Sequence, residues 1–321
     1  MRIALVANPS AGGVAAVPGG IDAIARDLAA AGFTVTVETA DTLHDQFAAA
    51  RDRGVDAVIV AGGDGTIACA AEMLADTGMP FGILPLGTMN LLARDIGVPI
   101  PLPDAIAALA DGEVREIDVG EVNGRAFLCA SMLGMATRLG VRRERSRGRM
   151  GPGALWRFWV ASLRAMRRYP PMTVAIDRAG RRHTLRTRAL AVIDNDFAAA
   201  PGQPFARARL DGGTLALYVT HRMGILGTLG LAARMLAGRW HDSPGLHRFT
   251  ETDFTIHSRR KMVRVMNDGE TFLIEPPLRY RIRPKALKVI VPRAAPAPAA
   301  AAPPAEPEPA PRAVELRRSA A

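Results

Sequence analysis

Lysine is nearly missing from this chain of 321 residues: Lys261, Lys285 and Lys288 stand against 38 arginines. The formal net charge of +10 therefore rests on guanidinium groups. Base composition of the coding sequence can produce such a bias by itself, so the informative part is the clustering of arginine between Arg138 and Arg168. Cysteine is just as scarce. Cys69 and Cys129 lie far apart with no CxxC, and the six histidines are isolated, which argues against a disulfide framework or a structural zinc site and for a reduced cytoplasm. With three tyrosines and no recognised nucleic-acid motif, nucleic acid is not an expected partner. No stretch reaches the roughly 18 uncharged apolar residues of a membrane span. The short apolar run Ile3 to Ala7 stops at Asn8-Pro9, which fits a first buried strand better than a signal peptide.

What the chain does have is Val58-Ile59-Val60-Ala61 running into Gly62-Gly63-Asp64-Gly65-Thr66 and then into residues suited to a helix. Glycines at 62, 63 and 65 remove Cβ atoms that would hold an anion off the backbone, so successive N–H groups can converge on a phosphate at the positive end of the helix. Asp64 repels phosphate unless a divalent cation lies between them, so the stretch reads as a nucleotide site with Mg²⁺. The plainer alternative is a tight turn out of a buried strand.

Strands are expected at 3–7, 33–37, 55–61 and 81–85, alternating with helices at 21–31, 43–51, after Thr66, at 91–95 and at 104–110, the last capped by Asp104. Alternation of this kind predicts a doubly wound parallel α/β sheet over residues 1–119. Pro85-Leu86-Gly87-Thr88-Met89-Asn90 repeats the logic of the central loop, and two such loops at neighbouring strand ends would form one cleft. From about residue 112 the segments turn short, β-rich and separated by turn residues, with the second domain expected over 120–292. That pattern predicts an antiparallel, sandwich-like second domain, whose last strand is able to return to the first domain. Helices are expected near 153–168 and 223–238. Residues 293–321, mostly Ala and Pro, read as a disordered tail.

Asn8-Pro9-Ser10-Ala11-Gly12, Gly62-Gly63-Asp64-Gly65-Thr66, Pro85 to Asn90 with Ala93-Arg94, and Asn267-Asp268-Gly269-Glu270 resemble, in order and spacing, the motifs of the diacylglycerol kinase catalytic-domain family. The likeness runs over residues 1–292, and a more distant one reaches NAD kinase. It implies an active site in a cleft between the two domains, using ATP and Mg²⁺. By this resemblance Gly62, Gly63, Asp64, Gly65 and Thr66 form the phosphate and Mg²⁺ loop. Asn8, Thr39, Gly87, Thr88 and Asn90 are nucleotide contacts, Asp268 is a general base with Glu270 as its partner, and Asp211 belongs to a second, structural Mg²⁺ site. Asn-Asp-Gly-Glu is also a common hairpin turn. Ala68-Cys69, Leu91, Cys129 and the stretch 195–200 depart from the family pattern.

The resulting expectation is a cytoplasmic lipid kinase, with diacylglycerol as first acceptor and a homodimer allowed. Sphingoid base, phosphatidylglycerol or NAD as acceptor, and a non-catalytic sensor, are the rivals. Arginines from Arg138 to Arg168 around Trp156, Phe158 and Trp159 suit peripheral docking on an anionic inner-membrane surface, and equally a solvated basic helix with its tryptophans turned inward.

Overall fold

A run such as Ala57-Val58-Ile59-Val60-Ala61, buried at every position, suits a parallel strand covered by helices on both faces. In the computed structural model it is one of four parallel strands, and the one buried at every residue. The structure describes residues 1–8, 12–135, 170–198, 209–220 and 245–293, with Thr137, Arg207 and a few positions between 227 and 243. The arginine-dense segment 138–168, most of the expected helix 223–238, and the tail from 294 lie outside the described residues.

The first half alternates as its sequence predicts: β1 (Arg2–Ala7), α1 (Gly12–Ala15), α2 (Gly20–Ala30), β2 (Thr34–Val37), α3 (Leu43–Asp52), β3 (Ala57–Gly62), α4 (Asp64–Leu74), β4 (Pro80–Pro85), α5 (Leu91–Asp95) and α6 (Leu102–Ala110). β2, β1, β3 and β4 lie side by side in parallel. α3 packs on α4, and α2 packs on α1 and α6. Ile24 and Leu28 of α2, one turn apart, are fully buried, each contributing roughly 1.5–3 kcal/mol by leaving water. Thr42 caps α3 by accepting the Asp45 N–H at 3.1 Å. Asp104 does not cap α6 as expected. That helix starts two residues earlier, with Pro101 in the capping position, and Asp104 supplies a negative charge to its first turn instead.

The second half is antiparallel: β5 (Glu113–Val122), β6 (Arg125–Phe127), β7 (Ala130–Gly134), β8 (Met172–Arg178), β9 (Arg181–Thr187), β10 (Ala189–Asp194), β11 (Leu215–Thr220), β12 (Leu246–Glu251), β13 (Asp253–Ser258), β14 (Val263–Asn267), β15 (Glu270–Ile274) and β16 (Leu278–Val291). Six of these form one sheet in the order β12-β11-β10-β7-β14-β15. The others extend the parallel sheet, as β4-β16-β13-β8-β9, with β5 on β16 and β6 on β5. Val174, Ile176, Phe254, Ile256 and Tyr280 from this extension share a core with Leu190, Val192, Leu217, Val219 and Val265 of the six-stranded sheet. Tyr280, fully enclosed, keeps its hydroxyl satisfied 3.0 Å from Ser131 Oγ across that core.

β16 joins the two regions. Its first half pairs with β13, and after a register shift between Arg283 and Leu287 its second half runs parallel to β4. Lys285, at φ 52, takes up the shift, and its N–H donates to the buried Asp118 at 2.8 Å.

Candidate functional site

β1 stands between β2 and β3, so the sheet changes its direction of growth there, and the crevice beyond the carboxyl ends at such a point is where open α/β sheets bind ligands. Asn8 follows β1, Thr39 follows β2, Gly62 to Thr66 close β3 and open α4, and Gly87 to Asn90 follow β4. All the residues expected on the nucleotide side therefore share one edge. Asn8 is half-buried and its N–H reaches Ala61 O at 3.4 Å, whereas Thr39 and Thr88 are exposed.

The two glycine loops meet backbone to backbone. A methyl group at Gly87 would come within 2.5 Å of Gly63 Cα, so glycine at 87 is what lets the loops close. Asp64 then ties them together: its Oδ1 accepts the Leu91 N–H at 2.7 Å and its Oδ2 the Asn90 N–H at 3.0 Å, capping α5 from another element. Asn90, buried and left-handed at φ 49, donates from Nδ2 to Pro85 O and Gly87 O and accepts the Gly87 N–H at 2.8 Å. Its side chain is thus engaged inside its own loop, and what it offers a ligand is the shape of that loop. Thr66 is buried with its hydroxyl against Gly62, where a methyl group would stand 2.5 Å away.

The hairpin between β14 and β15 brings carboxylates from the second sheet to this edge. Glu270 reaches α4, with Oε1 2.5 Å from where a Cβ on Gly65 would stand, and its charge is felt at the Cys69 thiol. Burial, with Glu72 and Glu270, pushes Cys69 up to about 11. Asp268, left-handed at φ 47, faces the other way. Its carboxylate accepts the N–H groups of Leu128, Cys129 and Ala130 at 2.6, 2.9 and 2.8 Å, which holds the loop between β6 and β7. Burial raises Asp268 above the ordinary carboxyl value, against those three hydrogen bonds.

Arg207, whose side chain is 2% exposed, completes the arrangement and was not legible in advance. Its guanidinium donates to Asp95 Oδ2 at 2.9 Å through Nε and lies 2.8 Å from it through Nη2, while Nη1 bonds Leu128 O and Asp194 O. It therefore joins α5, β10 and the loop that Asp268 holds. Burial pushes the Cys129 thiol up, opposed by Arg207, whose Nη2 lies 3.7 Å from its sulfur, and reinforced by Asp268, Asp95 and Asp64. No local signal marks Arg207. It stands in an Ala- and Arg-rich stretch, and Asp95 is far away in sequence.

Mg²⁺ in phosphoryl-transfer sites is held by one or two carboxylates and otherwise by phosphates and water. Asp64 fits that donor set, because each oxygen retains acceptor capacity beyond its amide. Asp211 forms an exposed ion pair with Arg209 at 3.0 Å, which holds its carboxyl below the usual range. Among the described residues no group of three or more His, Cys, Asp or Glu side chains could hold a metal ion, at Asp64 or at Asp211.

Comparison with known proteins finds two family models along the chain. Residues 2–122 match the diacylglycerol kinase catalytic domain, and residues 133–291 match the YegS C-terminal NAD kinase beta sandwich-like domain. Over residues 2–122 the chain belongs to the diacylglycerol kinase catalytic-domain family. A diacylglycerol kinase of Mycobacterium tuberculosis is 35% identical over 180 residues, which are 53% of this chain and 57% of that protein. One from Bacillus subtilis is 35% identical over 115 residues, 34% of this chain and 38% of that protein. The chain thus spans less than two thirds of the curated relatives it matches. The fold extends further: the crystal structure of a diacylglycerol kinase from Bacillus anthracis superposes with a TM-score of 0.66 at 20% identity, covering 90% of this chain and 96% of that one. Among the described residues no helix is long and apolar enough to cross a membrane.

Proposed function

We propose that this protein is an ATP- and Mg²⁺-dependent kinase that transfers the γ-phosphate to the hydroxyl of a membrane lipid, diacylglycerol first. The observation that carries this reading is Glu270, brought from the second sheet onto Gly65 of the glycine loop. A phosphate loop needs no carboxylate at that point for binding. Phosphoryl transfer to an alcohol does, because the hydroxyl proton must leave as its oxygen attacks.

In this mechanism the amides at the start of α4 and the closed Gly63–Gly87 contact cradle the phosphates, and Asp64 holds the cation side. Bound Mg²⁺·ATP supplies the electrophilic phosphorus and neutralises its oxygens. The acceptor oxygen forms its bond to the γ-phosphorus as the bond to the bridging oxygen of ADP breaks, and the proton passes to a carboxylate. Glu270, with Oε1 over Gly65 of the glycine loop, is the acceptor in this reading, and both oxygens of Asp268 are engaged by three amides. Asp268 then acts by holding residues 128–130 against the cleft.

The test is transfer of labelled γ-phosphate to diacylglycerol, monoacylglycerol, sphingoid base, ceramide, phosphatidylglycerol and NAD, with Asp64→Ala, Glu270→Gln and Asp268→Asn beside the unmodified chain. A labelled lipid abolished by Asp64→Ala and Glu270→Gln supports the reading and names the acceptor. Label on NAD moves the chain to the rival kinase activity. ATP binding without transfer to any acceptor makes it a sensor.

A further inference from the structure

Residues 259–262, between β13 and β14, read Arg-Arg-Lys-Met, and all four are exposed. Among the described residues none of these three cations forms an ion pair. Beside them Arg264 opens the outer face of β14 directly across from Leu273 of β15. Met262 is 44% and Leu273 56% exposed, two of the four large apolar side chains so exposed among the described residues. The corner thus presents four cations and two apolar side chains, with Glu275 the nearby carboxylate.

This corner lies at the end of the second sheet away from the cleft, because β14 runs from it to Asn267 and Asp268 over about 17 Å at the usual rise of a strand. The chain also leaves β7 and enters β8 here: Gly134, Thr137 and Met172 line one recess with Ser258, Arg260 and Val263. The sequence joining those two points holds ten arginines against the single acid Glu144.

We propose that the corner formed by Arg259, Arg260, Lys261, Met262, Arg264 and Leu273 docks the protein on an anionic lipid bilayer. Guanidinium and ammonium groups supply long-range attraction to acidic headgroups, and the two apolar side chains enter the interface. Nucleic acid would use the charge but not Met262 and Leu273, and no aromatic side chain lies among the six to stack on a base. Docking goes beyond the kinase reading and is measured without turnover, so either can fail while the other stands.

The experiment is flotation of the full chain with vesicles of phosphatidylcholine alone and of equal parts phosphatidylcholine and phosphatidylglycerol. The unmodified chain is expected to bind only the anionic vesicles at low salt. Reversal of Arg259, Arg260 and Lys261 to Glu should weaken binding by about 100-fold or more. The conservative R259K/R260K variant should bind as the unmodified chain does. Met262→Ser with Leu273→Ser should abolish the binding that survives at about 0.5 M salt, where surface charge is screened. Reversal of Arg26 and Arg51, on the first domain, should leave binding nearly unchanged. Equal loss in that control, unaltered binding after the triple reversal, no binding to anionic vesicles, or tighter binding to duplex DNA would each overturn the proposal. If the triple reversal fails to fold by circular dichroism, the apolar pair and the lysine exchange decide alone.

Discussion

Asp64 accepts the N–H of Leu91 at 2.7 Å, joining the loop after β3 to the start of the helix after β4. Leu91 departs from the pattern that the family resemblance implies, yet the contact made here uses the backbone amide, which every residue except proline supplies. The junction between the loops therefore survives that departure.

Asp64→Ala is expected to lower stability by about 1–2 kcal/mol, since two amides at the start of α5 lose their acceptor, and to reduce transfer at least about 100-fold. Denaturant unfolding and the labelled-phosphate assay separate the two effects. Asp64→Asn, which keeps one acceptor oxygen, should recover part of the stability and little of the transfer.

Two glycine substitutions should part company. At Gly65, already helical, alanine meets the flexible end of Glu270, so Gly65→Ala should displace that carboxylate and depress transfer at least about tenfold while leaving the melting temperature unchanged or slightly higher. At Gly87 the added methyl meets Gly63 Cα, which cannot yield without moving the loop. Gly87→Ala should cost about 1–3 kcal/mol as well as activity.

Arg207→Met removes the only cation facing Asp95 and Asp194 among the described residues and should cost about 3–5 kcal/mol. Adding Asp95→Asn removes one stranded charge and should restore at least about 1 kcal/mol. A double-mutant cycle by chemical unfolding measures this, and the cost should be equally large if Arg207 only builds the fold.

Acid should weaken the hairpin of β8 and β9. The Arg182 hydrogen bond, and then His257, hold Asp177 at about 2 against 3.8 for the free group. A depressed carboxyl contributes stability that is present above its unfolded value and lost as pH falls through the folded one. The advantage of the unmodified chain over Asp177→Asn should therefore stay constant from neutral pH down to about 4 and disappear towards about 2. Asp95, Asp194 and Asp268, raised by burial, act oppositely, giving stability at low pH that is lost as pH rises. They are common to both proteins and cancel in the comparison.

Glycine loops were legible in the sequence because backbone approach demands glycine at particular positions, as Gly63 and Gly87 show. The alternating first half was legible because buried parallel strands are apolar at every residue. β12 was not. Leu246 and Phe249 are its only large apolar residues, and its place in the sheet comes from pairing with β11. β16 read as a strand only over 279–282, because Arg283-Pro284-Lys285 looks like a break until Asp118 is seen to support it. Arg207 and Asp95 illustrate the same limit at the site. Their pairing is a product of tertiary structure, with no periodicity to announce it.

β16 also constrains how the molecule comes to be made. Its second half lies against β4, completing a sheet whose other parallel strands have all been synthesised by residue 85. That neighbour is synthesised last among the described elements, so the nascent first domain carries an open edge for most of translation. The parallel half of the sheet is finished only when the antiparallel half has been built.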